Sequence, residues 1–460
     1  MQDFDVIVIG MGPGGEYLAE ALAGKGLSVL GLDHWLVGGE CPYYGCVPSK
    51  MMLRAAGPLA EAALIPDLSG RVSEITPDWS ILASRIRDEA TDDWNDRAAV
   101  DRFEKLGGTF IRGTGRLTSD TSVSVSPNDG SAEQEFRARR AIVVATGSSA
   151  VVPPIPGLAD VDYWTNRGAV QATEAPQSMV VLGGGAIGCE MSQAFARFGT
   201  EVTLVEGTDR LLPPEEPEAS AILESVFTDA GINVITGTRA QRVSQSDGVI
   251  HVELSDGRTV SGQRLLVATG RRTDPAAAGL ASVGVPQDAR VAPINERCEV
   301  VPGVYAIGDI TGKGAFTHIA MYQGGIVTKE ILGEETYTAD YTAEPHVTFT
   351  DPEVGSVGLT EAAAREQYSN VAVGTAAIPD TSRGWIQKYD NAGLLKLVAD
   401  MDRGVLVGGT AMGPAGGEML SYLVLAVHAQ VPIATLQSMI YAYPTFHRGY
   451  ETALQDLVDG

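Results

Sequence analysis

The chain is 460 residues long, 44% hydrophobic and 20% charged, with a formal net charge of −25. Its length exceeds what one core fills, so roughly two to four domains are expected. The acidity argues against nucleic acid or an anionic membrane surface as partner, since both demand basic patches, and four cysteines in so long a chain exclude a disulfide scaffold.

The chain opens on MQDFDVIVIG, with acids where a signal peptide carries lysines. From Val6 the stretch VIVIGMGPGGEYLAEALAGKGLSVLGLD reads as a buried strand, a G-x-G-x-x-G turn at Gly10, Gly12 and Gly15, an amphipathic helix, a glycine stop at Gly26 and a second strand ending in Asp33. The first glycine permits the tight strand-to-helix turn, the second lets backbone approach a pyrophosphate, and the third lets helix pack on strand. The helix N-terminus then offers N–H groups and a positive dipole end to phosphate, and the acid can accept from a ribose diol.

Next comes GGECPYYGCVPSK, from Gly38 to Lys50, holding Cys41 and Cys46. Three readings are open for the pair: a structural staple, a metal site, or an electron exchanger. A structural zinc wants four ligands, and no histidine stands near; no metal centre is expected. A staple closing so short a loop removes little chain entropy. Two thiols one helical turn apart, at a helix start that favours thiolate, suit reversible disulfide exchange.

The glycine pattern then recurs. VVLGGGAIGCEMSQAFARFGTEVTLVE, from Val180, places Gly183, Gly185, Gly188, Gly199 and Glu206 in register with Gly10, Gly12, Gly15, Gly26 and Asp33. Each acid follows the third glycine by eighteen residues. Two such sites argue for two dinucleotides, a tightly held flavin and a diffusing nicotinamide. Glu206 would repel a 2′-phosphate and only Arg210 stands near to bind one, so NAD is expected in preference to NADP. Further on, MLSYLVLAVHAQVPIATL is broken by Ser421, His428, Gln430 and Pro432 and reads as a buried or interface helix rather than a membrane span. A soluble, cytoplasmic protein is expected.

The order of these motifs resembles the pyridine nucleotide–disulfide oxidoreductase family, most closely its dihydrolipoamide dehydrogenase branch. The likeness includes C-x-x-x-x-C with VPSK, AIVVATGSS from Ala141, VPPIPG, LLVATGRR from Leu265, GVYAIGDIT from Gly303, and HVTFTDPEVGSVGLTE from His346. It implies an α/β fold with two Rossmann-like dinucleotide-binding domains plus a C-terminal α+β dimerisation domain. The FAD domain would be discontinuous, residues 1–148 and 272–340, the NAD domain 149–271, and the interface domain 341–460. The resemblance further implies FAD contacts at Gly39, Thr146, Gly147, Asp309 and Thr317, and nicotinamide contacts at Ile187 and Gly270. His318 either starts the helix beneath the flavin or is a core histidine.

By the same resemblance the cysteine matching Cys46 is the flavin-proximal, charge-transfer thiol and the one matching Cys41 attacks the substrate. Lys50 would pair with Glu190 near the flavin N5. Cys189 and Cys298 read as structural. The enzyme would be a homodimer whose active site is shared between subunits, passing electrons from NADH through FAD to a small disulfide or dithiol.

The C-terminus departs from the pattern. Where the family carries H-P-x-x-x-E, this chain has YAYPTFHRGYETAL, with Tyr443 at the histidine position and Arg448 at the glutamate position. A phenol with pKa near ~10 is a poor base at neutral pH, whereas imidazole titrates there. His447 either substitutes for that base or only packs near the interface. A tyrosine here is similar to the mercuric reductase branch, but the vicinal cysteine pair of that branch has no counterpart in ETALQDLVDG, so mercury is not the expected acceptor. The alternatives are a non-disulfide acceptor such as a quinone or metal ion, and a non-catalytic flavoprotein.

Overall fold

A computed structural model describes residues 2–459. The chain divides into two compact units, one of residues 1–48, 84–151 and 271–340, the other of residues 49–83, 152–270 and 341–460.

The first unit is built on five parallel strands in the spatial order Thr109–Leu117, Val29–Asp33, Gln2–Ile9, Gln134–Val144 and Val304–Ala306. Antiparallel strands Ser122–Pro127 and Glu299–Val301 extend it. The central strand is apolar on both faces, as a buried parallel strand must be. Val6 and Val8 join one core with Leu18 and Leu22 of the helix Pro13–Gly24, while Ile7 and Ile9 join another with Leu117, Val123 and Leu280. A two-stranded ribbon pairs Ser149–Ala150 with Arg271–Arg272.

The second unit holds a four-stranded parallel sheet in the order Arg264–Val267, Ser178–Leu182, Glu201–Val205 and Asn233–Ile235. A three-stranded antiparallel sheet lies within the same part of the chain, over residues 240–262. Residues 345–413 supply a five-stranded antiparallel sheet in the order Pro345–Thr348, Glu353–Gly358, Val405–Gly413, Leu394–Asp400 and Val371–Ala377. Its core is completed by the helices Gly416–His428 and Gly449–Asp459 through Leu420, Leu423, Leu454 and Leu457. The apolar stretch around Leu423 is thus a helix packed on a sheet. Among the described residues no helix is long and apolar enough to cross a membrane.

Lys396 lies on a central strand of that antiparallel sheet and is 2% exposed. Its ammonium meets Glu216, Glu218 and Glu361 at 3.0, 2.8 and 2.9 Å. A buried lysine requires such partners, because an unpaired charge there would carry its full desolvation cost.

Candidate functional site

Both glycine turns close in the same way. At Gly10 φ is +96°, and a Cβ there would fall 2.3 Å from the Ala145 carbonyl oxygen; at Gly183 φ is +109°, and a Cβ would fall 2.3 Å from the Ala268 carbonyl oxygen. Side chains on Gly15 and Gly188 would strike the Gly10 and Gly183 carbonyl oxygens at 2.0 and 1.8 Å. Gly12 and Gly185, by contrast, each cap a twelve-residue helix and have nothing within 4 Å of a would-be Cβ. Each turn therefore leaves open space beside a helix N-terminus, the arrangement a pyrophosphate needs.

The acid after each second strand braces the turn. The Met11 N–H donates to one Asp33 carboxylate oxygen at 2.8 Å and the Trp35 N–H to the other at 2.7 Å. The Gly184 N–H donates to one Glu206 oxygen at 2.6 Å, and the Thr208 N–H and hydroxyl to the other at 2.7 and 2.9 Å. Burial pushes the Asp33 carboxyl up, opposed by those backbone N–H groups. Ile187 lies half-buried in the first turn of the second helix, and Gly270 stands at φ +113° with open space around it. The Arg210 guanidinium donates to the carbonyls of Pro213 and Glu215, so in this conformation it is engaged with its own loop.

In the first unit the expected flavin residues converge. A Cβ on Gly39 would come 2.9 Å from the Gly12 Cα, bringing two backbones together beside the turn. Thr146 and Gly147 follow the strand that ends beside Gly10. The Ser148 hydroxyl donates to Asp309. Arg271 donates to the Ser148 hydroxyl at 2.8 Å and carbonyl at 2.7 Å, and reaches Glu40, the neighbour of Cys41, at 3.2 Å. Ser148, Glu40 and Arg271 were not singled out from sequence, though AIVVATGSS, GGECPYYGCVPSK and LLVATGRR contain them. His318 stacks on Phe316, with ring centroids 5.3 Å apart and 10° between planes.

The cysteines sit on either side of a tight turn. Cys41 belongs to the four-residue helix Glu40–Tyr43, and Cys46 opens the helix Cys46–Ala63. Both are free thiols, and the Cys46 sulfur lies 3.5 Å from the Thr317 hydroxyl at the start of the helix Thr317–Leu332. The hydrogen bond to Cys46, with burial second, pushes the Cys41 thiol up. Of the two, Cys46 is the more exposed in the polypeptide.

In the second unit Lys50 meets Glu190 with both carboxylate oxygens in reach, at 2.9 and 2.7 Å. Glu190 also accepts the Phe349 N–H at 2.9 Å, and the Lys50 ammonium lies 4.7 Å from the centre of the Phe349 ring. Phe349, like Ser148, lies within a motif, in its case HVTFTDPEVGSVGLTE, but that motif does not announce its partner 159 residues away. Cys189, one residue before Glu190, is fully buried and donates to the Gly184 carbonyl at 3.2 Å.

The C-terminal candidates face different surroundings. Tyr443 is 66% exposed, with the Arg448 guanidinium 5.2 Å from its ring centre. His447 turns into a tyrosine cluster, 4.9, 5.3 and 5.5 Å from the rings of Tyr422, Tyr441 and Tyr450. Burial there pulls its pKa down. Among the described residues no group of three or more His, Cys, Asp or Glu is placed to hold a metal ion.

Comparison with known proteins gives a consistent set of relatives. A family model described as pyridine nucleotide-disulphide oxidoreductase matches residues 4–324, and the dimerisation domain of the same family matches residues 344–454. A mercuric reductase of Staphylococcus aureus is 31% identical over 457 residues, covering 98% of this chain and 82% of the relative. A dihydrolipoyl dehydrogenase of Chlorobaculum tepidum is 34% identical over 462 residues, covering 98% and 97%. Among solved structures, the HOCl-induced flavoprotein disulfide reductase RclA of Escherichia coli superposes with TM-score 0.83 at 26% identity, covering 100% of this chain and 99% of that one.

Proposed function

The chain belongs to the pyridine nucleotide-disulphide oxidoreductase family, and from that premise we propose that it reduces a small disulfide with NADH by way of Cys41 and Cys46. Members are FAD-dependent and use NAD(P)H, and this chain is an oxidoreductase of that kind with the family's dimerisation domain. Two glycine turns with open space at the second glycine fit two dinucleotides.

The observation that carries the proposal is the pair of free thiols on either side of one tight turn, the second opening a helix beside Thr317. FAD, when bound, supplies a two-electron carrier between nicotinamide and sulfur. In the reading advanced here, Gly10, Gly12, Gly15, Gly39, Thr146, Gly147, Thr317 and Asp309 hold FAD, and Asp33 accepts from its ribose. Gly183, Gly185, Ile187, Gly188 and Gly270 hold the nicotinamide nucleotide, and Glu206 favours NAD over NADP by repelling a 2′-phosphate. The Lys50–Glu190 pair keeps a cation fixed on the helix that Cys46 opens, one turn beyond the sulfur. Cys46 is the flavin-side sulfur and Cys41 attacks the substrate. Overall, NADH, a proton and a disulfide yield NAD and two thiols. A thiol attacks only once its proton is removed, so Cys41 needs a base. Tyr443 is a poor one, so dihydrolipoamide is the nearest precedent rather than the assigned substrate.

The same reading includes a FAD domain of 1–148 and 272–340, a NAD domain of 149–271, an interface domain of 341–460, a cytoplasmic location and a homodimer completing the active site. A second reading, reduction of a quinone or metal ion, is favoured by Tyr443 together with the mercuric reductases among the relatives. Steady-state turnover of NADH against lipoamide, other low-molecular-weight disulfides, quinones and Hg(II), in the native protein and Cys41→Ser, separates the two. Quinone or metal turnover that survives Cys41→Ser while every disulfide fails rejects the thiol relay.

A further inference from the structure

The turn that carries Cys41 and Cys46 is gripped from outside by a short segment with an unusual backbone. After the helix Trp79–Arg85 the chain makes one wide π-helical turn, Ile86–Ala90. Asp92, Asp93 and Trp94 then follow with φ of +48°, +55° and +56°. Three successive non-glycine residues in the left-handed region are disfavoured and persist only where surrounding contacts over-determine them.

Those contacts are present. Thr91 is 1% exposed; its hydroxyl donates to the carbonyls of Ile86 and Arg87 at 3.0 and 3.1 Å and accepts the Trp94 N–H at 3.3 Å. Asp96, also buried, receives the Arg112 guanidinium at 2.8 and 2.6 Å. The segment then reaches the cysteine turn on both sides. Upstream, the Val37 N–H donates to Asp96 at 2.6 Å, just before Gly38 and Gly39. Downstream, the Trp94 indole N–H donates to the Tyr43 carbonyl at 3.2 Å, and the indole stacks on Tyr44 with centroids 6.4 Å apart and planes 23° apart. Tyr43 and Tyr44 lie between the two cysteines, so the bond and the stack act directly on the link whose ends carry the sulfurs.

From this geometry we propose that Trp94 is a positioning residue that sets the thiol–disulfide equilibrium of Cys41 and Cys46. The inference rests on the reading of these cysteines as a redox pair and adds a control on it. Disulfide formation demands a narrow range of distance and dihedral angle. The disulfide form is held there by its own bond, whereas the dithiol form is held there only by what grips the turn. Removing Trp94 releases the dithiol form more than the disulfide form. The reduced state gains conformational freedom, and the equilibrium moves toward dithiol.

The test is equilibration of the holoprotein, without pyridine nucleotide, in buffers of reduced and oxidised glutathione. The fraction oxidised is read by mass after alkylation. In each turnover of this equilibrium one S–S bond of the protein breaks, two S–H bonds form, and two glutathione thiols join as one disulfide. Trp94→Ala is expected to move the constant about tenfold toward dithiol, a rise of about 30 mV in potential. Trp94→Phe, which keeps a ring against Tyr44 but loses the N–H, and Tyr44→Leu, which keeps the N–H but loses the stack, are each expected to give about threefold. If Trp94→Ala fails to fold, those two variants decide. Constants equal to the native one in folded variants overturn the inference alone. A native protein that forms no Cys41–Cys46 disulfide at any glutathione ratio overturns the redox reading beneath it as well.

Discussion

The Lys50 ammonium bridges both carboxylate oxygens of Glu190, 140 residues away in sequence, while the Glu190 side chain is only 5% exposed. Lys50 itself keeps 35% of its side-chain surface, so water screens one end of the pair and not the other. Replacing the exposed partner strands the buried one. Lys50→Met is expected to cost about 2 kcal/mol, below the roughly 3–5 of a fully enclosed pair. Lys50→Met combined with Glu190→Gln should recover part of that loss. Urea unfolding of the single and double variants checks it, and a double variant less stable than Lys50→Met contradicts it.

Glu206 accepts from Gly184 and Thr208, which fixes its carboxylate at the end of the strand Glu201–Val205. Its charge is expected to favour NADH through the ribose hydroxyls and to oppose NADPH. Glu206→Ala should weaken NADH by about tenfold or more, the worth of one or two charge-assisted hydrogen bonds. It should also narrow the preference over NADPH. Titration of both nucleotides by fluorescence checks this; a native protein that already prefers NADPH would refute the assignment.

Two histidines should give stability opposite dependences on pH. Burial pulls the His346 pKa down, but the Glu215 carboxylate 3.0 Å away overcomes it and the net shift is upward from 6.5. His346 therefore contributes stability fully present below pH 6.5 and lost as pH rises through its folded pKa. His447 is shifted downward from 6.5 by burial among tyrosines. Its contribution is present above pH 6.5 and lost as pH falls through its folded pKa. Accordingly His346→Gln should destabilise most at acid pH, and His447→Gln should flatten the acid side of the stability profile. Urea midpoints between about pH 5 and 8 test both signs, and parallel profiles for native and variant proteins would count against them.

Tyr443 is exposed, and in the reading proposed above it stands where the family's H-P-x-x-x-E pattern carries its catalytic histidine. Tyr443→His is expected to raise turnover with lipoamide by about a hundredfold, the lower end of what general base catalysis supplies, and to introduce a rate-limiting pKa near neutrality. A pH–rate profile of the variant tests this. Unchanged lipoamide turnover would mean that position 443 does not approach the thiols.

The repeated glycine turn was legible in the sequence because its causes are local. A left-handed glycine, a close backbone crossing and an acid at fixed spacing each restrict residue type at one position. The five-stranded antiparallel sheet was legible only through resemblance, since no short motif encodes an antiparallel register, whereas the apolar run from Met419 announced the helix Gly416–His428 by itself. Other features escaped because they are tertiary. Arg271 reaches Ser148 from 123 residues away, and Phe349 reaches Glu190 from 159. Proximity in sequence alone suggests Arg210 as a phosphate ligand, whereas its guanidinium donates to the carbonyls of Pro213 and Glu215. Sequence leaves His447 between base and packing residue, and only its ring neighbours reveal how apolar its surroundings are.

Asp33 and Glu206 both spend one oxygen on the middle residue of their glycine turns, Met11 and Gly184. If Glu206 selects the coenzyme as proposed, that selectivity is welded to the shape of the loop beside it. An engineer who deletes the carboxylate to admit a phosphorylated ribose also removes a strut from the phosphate cradle. Broadening the nucleotide range of this scaffold calls for a neutral hydrogen-bond acceptor such as glutamine at position 206, not for an empty space.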